Sequence, residues 1–592
     1  MLADTIVKRL LDQADHRPDA PALYEKRSDV WRAITYRNYA DTVQRVGRAL
    51  LALGFEVGDT VSMLGFNRPE WVYMAVGGMA AGGAGAGIYT TSSPSEISYI
   101  VGHAASKVLL VENKAQWAKI ENVLGELPKL DKVVFMRGDE PPAHPKVLSW
   151  EAFLGLGDSV SAERLLERVH ALEPGGLASL IYTSGTTGPP KGVMLSHANL
   201  AFTATVARKI AEGRPSDSSL SYLPLSHIAE QMFSIHGPIT MGSAIYFAES
   251  LEKVPDNLKE VQPTVFFGVP RIWEKFHAGI QGKLDLAKGV KKSLVGWARR
   301  VGTSVSALRM KGEQPRGLLA VEYSLAKRLV FDKLKPAIGL GRARFCVSGA
   351  APIAREVLEF FASLDIVVLE VYGQSEDCGP TSCNLNGKTK LGSVGPAVEG
   401  VEVKLADDGE ILVRGPNVFM GYLKEPEATA ETLVDGWLHS GDLGAFDSEG
   451  FLSITGRKKE IIITAGGKNI APKNIEASLK NHRLVSEAVV IGDRRKYLTV
   501  LLTLDPEALA AFAKERGAPS DGAHAHPAVR EAIQIAIDAV NHELARVETV
   551  KKFTILARPF SIEDGELTPT LKVKRKVVNE HFSREIESMY QE

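Results

Sequence analysis

LIYTSGTTGPPKGVMLSH, running from Leu180 to His197, is the stretch around which the rest of the chain is read. A β-rich run, LIYT, passes directly into a loop of Gly, Ser and Thr that ends near Lys191. Small residues let backbone amides approach phosphate oxygens, hydroxyls add donors, and Lys191 supplies positive charge. The loop is therefore read as a phosphate cradle. It is not a Walker loop, because GxxxxGK[ST] needs Gly at Pro190 and Ser or Thr at Gly192. A strand that feeds such a loop implies a sheet whose strand ends gather ligands.

Upstream, from Tyr39 to Met136, helical patterns such as YADTVQRVGRALLALGF alternate with β-rich runs such as DTVSMLGF, KVLLVEN and KVVFM. That rhythm predicts helices packed on a largely parallel sheet. Downstream it continues through SAIYFAE, PTVFFGVP, ARFCVSGA and IVVLEVYG. After about Gly395, VEVKLADDGEILVRGP and GAFDSEGFLSITG predict a small antiparallel unit of short strands and frequent turns. The fold class expected is α/β. A large N-terminal domain, residues 1–456, holds mixed, mostly parallel sheets flanked by helices plus the small antiparallel β unit; a small α+β C-terminal domain follows, residues 457–592.

A chain of 592 residues exceeds what one hydrophobic core organises, which agrees with that division. The formal charge of -1 excludes a dedicated nucleic-acid binder. Cys346, Cys378 and Cys383 show neither paired metal spacing nor a disulfide framework, which points to a reducing, cytoplasmic compartment. Charges interrupt the apolar positions of the N-terminus, unlike a signal peptide, and the Gly- and Ala-rich run Val72 to Tyr89 reads as a buried helix and strand rather than a membrane span.

Seven further strings follow in order: YLPLSHIAEQ from Tyr222, GVPRIWEKF from Gly268, SGAAPI from Ser348, VYGQSED from Val371, GWLHSGDLG from Gly436, GRKKEIIITAGGKNIAP from Gly456 and LTPTLKVKRK from Leu567. With the first, they resemble the adenylate-forming superfamily, which includes acyl-CoA synthetases, luciferases and the adenylation domains of peptide synthetases. The resemblance implies ATP, Mg2+ and coenzyme A as reactants. It makes Thr183, Ser184, Gly185, Thr186, Thr187, Gly188 and Lys191 the phosphate loop, and Gly349 and Ala350 the turn bordering adenine. Tyr372 then stacks adenine within a motif that includes Gly373 and Ser375, where the family pattern has Thr at position 375. Glu376 and Thr183 are the implied metal ligands, and Asp442 with Arg457 the implied ribose and phosphate contacts. Lys572 matches the lysine that reaches the reacting carboxylate and α-phosphate. Lys459 falls at the hinge that makes the C-terminal domain a mobile lid, and Gly466 and Gly467 line the pantetheine channel after rotation. His227 and Gly268 fall at the acyl pocket. Lys572, Lys191 and Glu376 are the implied catalytic residues.

GVPRIWEKF and the LTPTLKVKRK ending resemble long-chain fatty acyl-CoA synthetases, so fatty acid, ATP and coenzyme A are the expected small-molecule substrates. A fatty acyl-AMP ligase that loads a carrier protein and a non-catalytic nucleotide-binding scaffold are the alternatives. Residues 281–330 carry eleven Lys or Arg against Asp285, Glu313 and Glu322, a local charge of +8. That segment reads equally as a solvated helical hairpin or as a peripheral contact with the inner face of a membrane.

Overall fold

The computed structural model describes residues 4–183, 189–466, 468–516, 522–568 and 572–591. Its largest sheet has eight strands in the order Gly421–Tyr422, Lys191–Ser196, Leu177–Thr183, Ala84–Ile88, Thr60–Leu64, Val108–Val111, Lys132–Phe135, Val147–Ser149. Every pairing from Leu177–Thr183 to Val147–Ser149 is parallel, and the two at the other edge are antiparallel. Side chains alternate across this sheet as strand geometry requires. Val108 and Leu110 pack beneath the helices Tyr36–Ala52 and Pro69–Ala80, while Leu109 and Val111 face the helix Pro94–Ala104. With both faces covered, the strands read as nearly continuous apolar runs. Leu109 is fully buried, and truncating such a leucine costs about 2–5 kcal/mol. The run from Val72 to Tyr89 is a helix buried on every side followed by the strand Ala84–Ile88.

Two four-stranded sheets bring further strand ends to one cleft. One runs Ser218–Ser221, Ala244–Phe247, Pro21–Arg27, Val30–Thr35; the other runs Val265–Gly268, Phe345–Ser348, Val368–Tyr372, Ser382–Cys383. The loop after Ser221 presses on the large sheet at Gly87, where a Cβ would lie 2.6 Å from the Ser226 Cα. Only glycine allows that approach, and it sets His227 beside the strand ends.

The antiparallel unit contains Glu402–Leu405, Glu410–Arg414, Leu433–Val434, Trp437–Phe446 and Leu452–Arg457. In an exchange that local patterning does not announce, Gly421–Tyr422 leaves this unit and closes the edge of the large sheet, with Tyr422 opposite Val193. From Ile462 onward the chain builds its own cores. The strands Val485–Ile491, Leu498–Leu504 and Val550–Ile555 carry the helices Pro472–Lys480 and Pro527–Glu543 on one face, and Arg575–His581 and Ser583–Tyr590 on the other.

Candidate active site

A single cavity of about 2340 Å³ runs between the large body and the C-terminal unit. Its polar end is built from strand termini. Thr183 closes one strand and pairs directly with Lys191, which opens the next. Ser184, Gly185, Thr186, Thr187 and Gly188 lie outside the described residues, as does Gly467. Lys191 Nζ is 3.8 Å from Glu425 Oε2 and 4.7 Å from the centre of the Tyr422 ring. The Tyr422 hydroxyl donates to Glu376 Oε1 at 2.9 Å. Burial and the Glu376 charge raise the Tyr422 pKa, so this phenol keeps its proton as donor.

Beyond the strand Val368–Tyr372 the chain doubles back so tightly that a Cβ on Gly373 would lie 1.5 Å from the Gly379 carbonyl oxygen. The turn aims Glu376 into the cavity and buries Asp377, which accepts from Thr381 Oγ1 and from the Gln374 amide at 2.8 Å. Burial pushes the Asp377 carboxyl up to about 7. Ser375 lines the cavity from the same turn. In the preceding turn, Ala350 lines it with φ at 68°, while Gly349 packs against Val371.

Asp442 and Arg457 are cross-strand partners in the antiparallel unit, with Arg457 Nε 3.2 Å from Asp442 Oδ1. The Tyr372 hydroxyl and Gln374 Nε2 both donate to Asp442 Oδ2 at 2.9 Å. A carboxylate accepts about four hydrogen bonds, so Asp442 keeps capacity for a further hydroxyl. Burial raises its pKa, while Arg457, Tyr372, Gln374 and Lys572 act in the opposite sense.

The C-terminal unit contributes Lys572, which is exposed and lines the cavity. Desolvation by the surrounding protein, then the Arg457 charge, hold its pKa below the ordinary 10.5 against the pull of Asp442. On the opposite wall, His227 caps the short helix Ile228–Gln231 by accepting the Ala229 amide on Nδ1 at 3.1 Å. Burial and the Lys572 charge lower its pKa to about 4, so it is neutral at pH 7, with its proton on Nε2. Lys459 lines the cavity on an exposed turn. Its neighbour Lys458 is tied to the large body through Asp408 at 2.6 Å and Glu410 at 3.0 Å. Gly466 is exposed and lies apart from the cavity wall. Gly268 sits behind the wall with its carbonyl on Trp273 Nε1 at 3.0 Å, while its neighbours Phe267 and Val269 line the cavity.

From this polar end an apolar arm continues past Val265, Phe267 and Phe345 of the second small sheet and past Ile210, Phe233 and Met241 of the helical segments opposite. Phe233 and Phe267 stack at 4.7 Å within it. Three residues that sequence reasoning missed emerge from this geometry: Tyr422, Glu425 and Gln374. Gln374 lies inside the VYGQSED string, but Tyr422 and Glu425 reach Lys191 only through the edge pairing of the large sheet.

The layers, the small antiparallel unit and the C-terminal unit form the adenylate-forming fold. The chain belongs to the AMP-binding enzyme family: the AMP-binding enzyme pattern matches residues 10–423, and the AMP-binding enzyme C-terminal domain pattern matches residues 459–592. It is 38% identical to the long-chain-fatty-acid–CoA ligase ACSBG2 of Xenopus laevis, over 97% of this chain and 82% of that protein. It is 38% identical to the long-chain-fatty-acid–CoA ligase ACSBG1 of Homo sapiens, over 99% of this chain and 85% of that one. Among solved structures, the anthranilate CoA ligase AuaEII in complex with anthranoyl-AMP superposes with a TM-score of 0.74 at 22% identity, covering 99% of both chains. ATP-bound MatB from Rhodopseudomonas palustris does so with a TM-score of 0.69 at 23% identity, covering 98% of this chain and 99% of that one.

Proposed function

We propose that this enzyme is an ATP-dependent long-chain fatty acid–CoA ligase. The observation that carries the reading is the continuity of one cavity from a polar end holding Lys191, Glu376, Asp442, Arg457 and Lys572 to an apolar arm between a small sheet and the helices packed on it. Such a space suits a nucleotide at one end and a long acyl chain at the other. In the first half-reaction a carboxylate oxygen of the fatty acid attacks the α-phosphorus of ATP, and pyrophosphate leaves. In the second, the coenzyme A sulfur attacks the acyl carbonyl and AMP leaves, giving the thioester. The two nucleophiles belong to the substrates, so the protein contributes positioning and charge stabilisation.

In this reading Lys191 and residues 183–188 hold the β- and γ-phosphates, Asp442 takes ribose hydroxyls, and Tyr372 lies against adenine. Arg457 gives way to the ribose or turns to a phosphate. Lys572 neutralises charge as carboxylate meets phosphate. Neutral His227 offers its Nε2–H to the acyl carboxylate. Magnesium suits the donor set: Glu376 spends one oxygen on Tyr422 and forms no ion pair among the described residues. Glu376 and Thr183 would hold the ion, which would offset the charge of the triphosphate when bound. Residues 457–592 act as a mobile lid turning about Lys459, which exchanges Lys572 for Gly466 and Gly467 between the two half-reactions.

The reading includes the cytoplasm as compartment, on the strength of three free, buried cysteines, and peripheral membrane contact, because long-chain acids partition into bilayers. Among the described residues no helix is long and apolar enough to cross a membrane. Straight-chain acids of increasing length, assayed with ATP for AMP release with and without coenzyme A, test the reaction and the substrate together. Palmitoyl-CoA is the expected product. Palmitoyl-adenylate that accumulates with coenzyme A present would instead favour loading of a carrier protein.

A further inference from the structure

The helix Gly317–Ala326, extended by the π turn Lys327–Phe331, is apolar on two sides. Ala326, Val330 and Phe331 are buried against Ala298, Val301 and Val305 of the helix Gly289–Met310. The opposite side is bare. Leu318, Val321, Leu325 and Leu329 recur at the spacing of one helical stripe and are 75%, 65%, 49% and 37% exposed. Isolated exposed leucines are ordinary, but four in one stripe, on a helix whose other side already serves the core, mark a surface made to be covered.

The charge around the stripe says by what. Of the eleven cations between 281 and 330, Arg299 and Arg309 turn inward. Arg299 bonds Ser363 Oγ at 3.0 Å and lies 4.9 Å from the Phe360 ring centre, and Arg309 pairs with Asp365 at 2.5 Å. Arg316, Lys327 and Arg328, which flank the stripe, are exposed and form no ion pair among the described residues. The same holds for Lys288, Lys291 and Lys292, which surround Leu286 and Val290, themselves 78% and 85% exposed. A nucleic acid would answer these charges but not the leucines. A second copy would bring one strongly basic face against another. A bilayer with anionic headgroups answers both features, taking the side chains at the acyl boundary and the cations at the phosphates. The helix Pro270–Asp285 starts at the cavity wall with Arg271 and Ile272 and ends beside the exposed Leu286, about 24 Å away.

We propose that Leu318, Val321, Leu325 and Leu329, with Arg316, Lys327 and Arg328, form a docking face for anionic bilayers. The inference deepens the peripheral contact included above, and the stripe would bind whether or not the acyl substrate is long. The test is co-sedimentation of the full-length enzyme, without substrates, with vesicles of phosphatidylcholine alone or mixed with phosphatidylglycerol. Wild-type protein is expected on the anionic vesicles, with weaker binding as salt rises. The L318S/V321S/L325S/L329S variant should lose at least about tenfold in affinity, and K327E/R328E should lose the preference for anionic lipid. If the quadruple variant does not fold, L318S/V321S, which alters the two most exposed positions, is expected to lose affinity in the same direction. Circular dichroism and turnover of a water-soluble medium-chain acid verify that each variant is intact. Wild-type affinity in the folded stripe variants, or equal binding to neutral and anionic vesicles, overturns the proposal. So does a concentration-dependent dimer that these variants abolish while wild-type protein ignores vesicles, since the stripe would then belong to a second copy. Absence of vesicle binding alongside palmitoyl-CoA synthesis defeats this inference and the peripheral contact, and leaves the fatty acid–CoA ligase activity standing.

Discussion

Lys191 and Lys572 face one cavity from opposite bodies, and their surroundings differ in kind. Lys191 begins a strand of the large sheet and is braced by the Glu425 carboxylate and the Tyr422 ring before any ligand arrives. Lys572 belongs to the C-terminal unit, has no ion pair among the described residues, and sits where Arg457 and desolvation oppose its charge. A braced cation is suited to a contact that persists through the reaction. A cation held at a disadvantage gains most when negative charge appears beside it, which is what a transition-state contact needs.

That contrast can be broken in several places. Lys572→Ala is expected to cut fatty-acid-dependent pyrophosphate release about 10²–10³-fold, while transfer from supplied acyl-adenylate to coenzyme A changes far less. An unaltered rate of pyrophosphate release would remove Lys572 from the mechanism. Lys191→Ala should weaken ATP binding and adenylation by about 10- to 100-fold, the range for loss of a charge-assisted phosphate contact. Equal defects in both half-reactions for both variants would erase the distinction.

The pH profile sharpens it further. Because the folded pKa of Lys572 lies below 10.5, its proton is lost earlier than from a free lysine as pH rises. The alkaline limb of kcat/KM for adenylation is expected below that value, and Lys572→Arg should move it upward. A limb unmoved by this substitution would assign it to another group. Tyr422→Phe removes the bond to Glu376 yet keeps the ring under Lys191, and should cost about 3- to 10-fold in adenylation. Smallest is the contact between the two bodies, where Arg271 Nη1 lies 3.2 Å from Glu487 Oε1. Arg271 is partly exposed, so Glu487→Gln should alter either half-reaction by less than about fivefold, with the difference fading at high salt.

Local chemistry made much of this legible. The strands at Thr60–Leu64, Val108–Val111, Lys132–Phe135, Val265–Gly268, Phe345–Ser348 and Val368–Tyr372 fall within apolar runs bounded by turn residues, because parallel strands covered on both faces have no polar side to obscure them. Asp442, Arg457, Tyr372 and Glu376 come from strings dense in Gly and charge, and the fold brings all four to the cavity. Tyr422 escaped notice because its place depends on pairing with a strand more than two hundred residues earlier. Arg299 and Arg309 could not be told from the solvated cations around them, since charge patterning says nothing of a Phe360 ring on the helix Arg355–Ser363 or an Asp365 carboxylate in the turn after it.

The two residues Gly421 and Tyr422 have a further consequence. By bonding to Lys191–Ser196 they cover the rim of the eight-stranded sheet, and the AMP-binding enzyme pattern ends at residue 423, directly after them. A fragment cut just before this pair would uncover the outer edge of Lys191–Ser196, whose inner edge stays paired with Leu177–Thr183, a template for intermolecular strand addition. Dissection of the molecule into a stable large body therefore has to keep this clasp, and fragments lacking it are expected to precipitate instead of remaining monomeric.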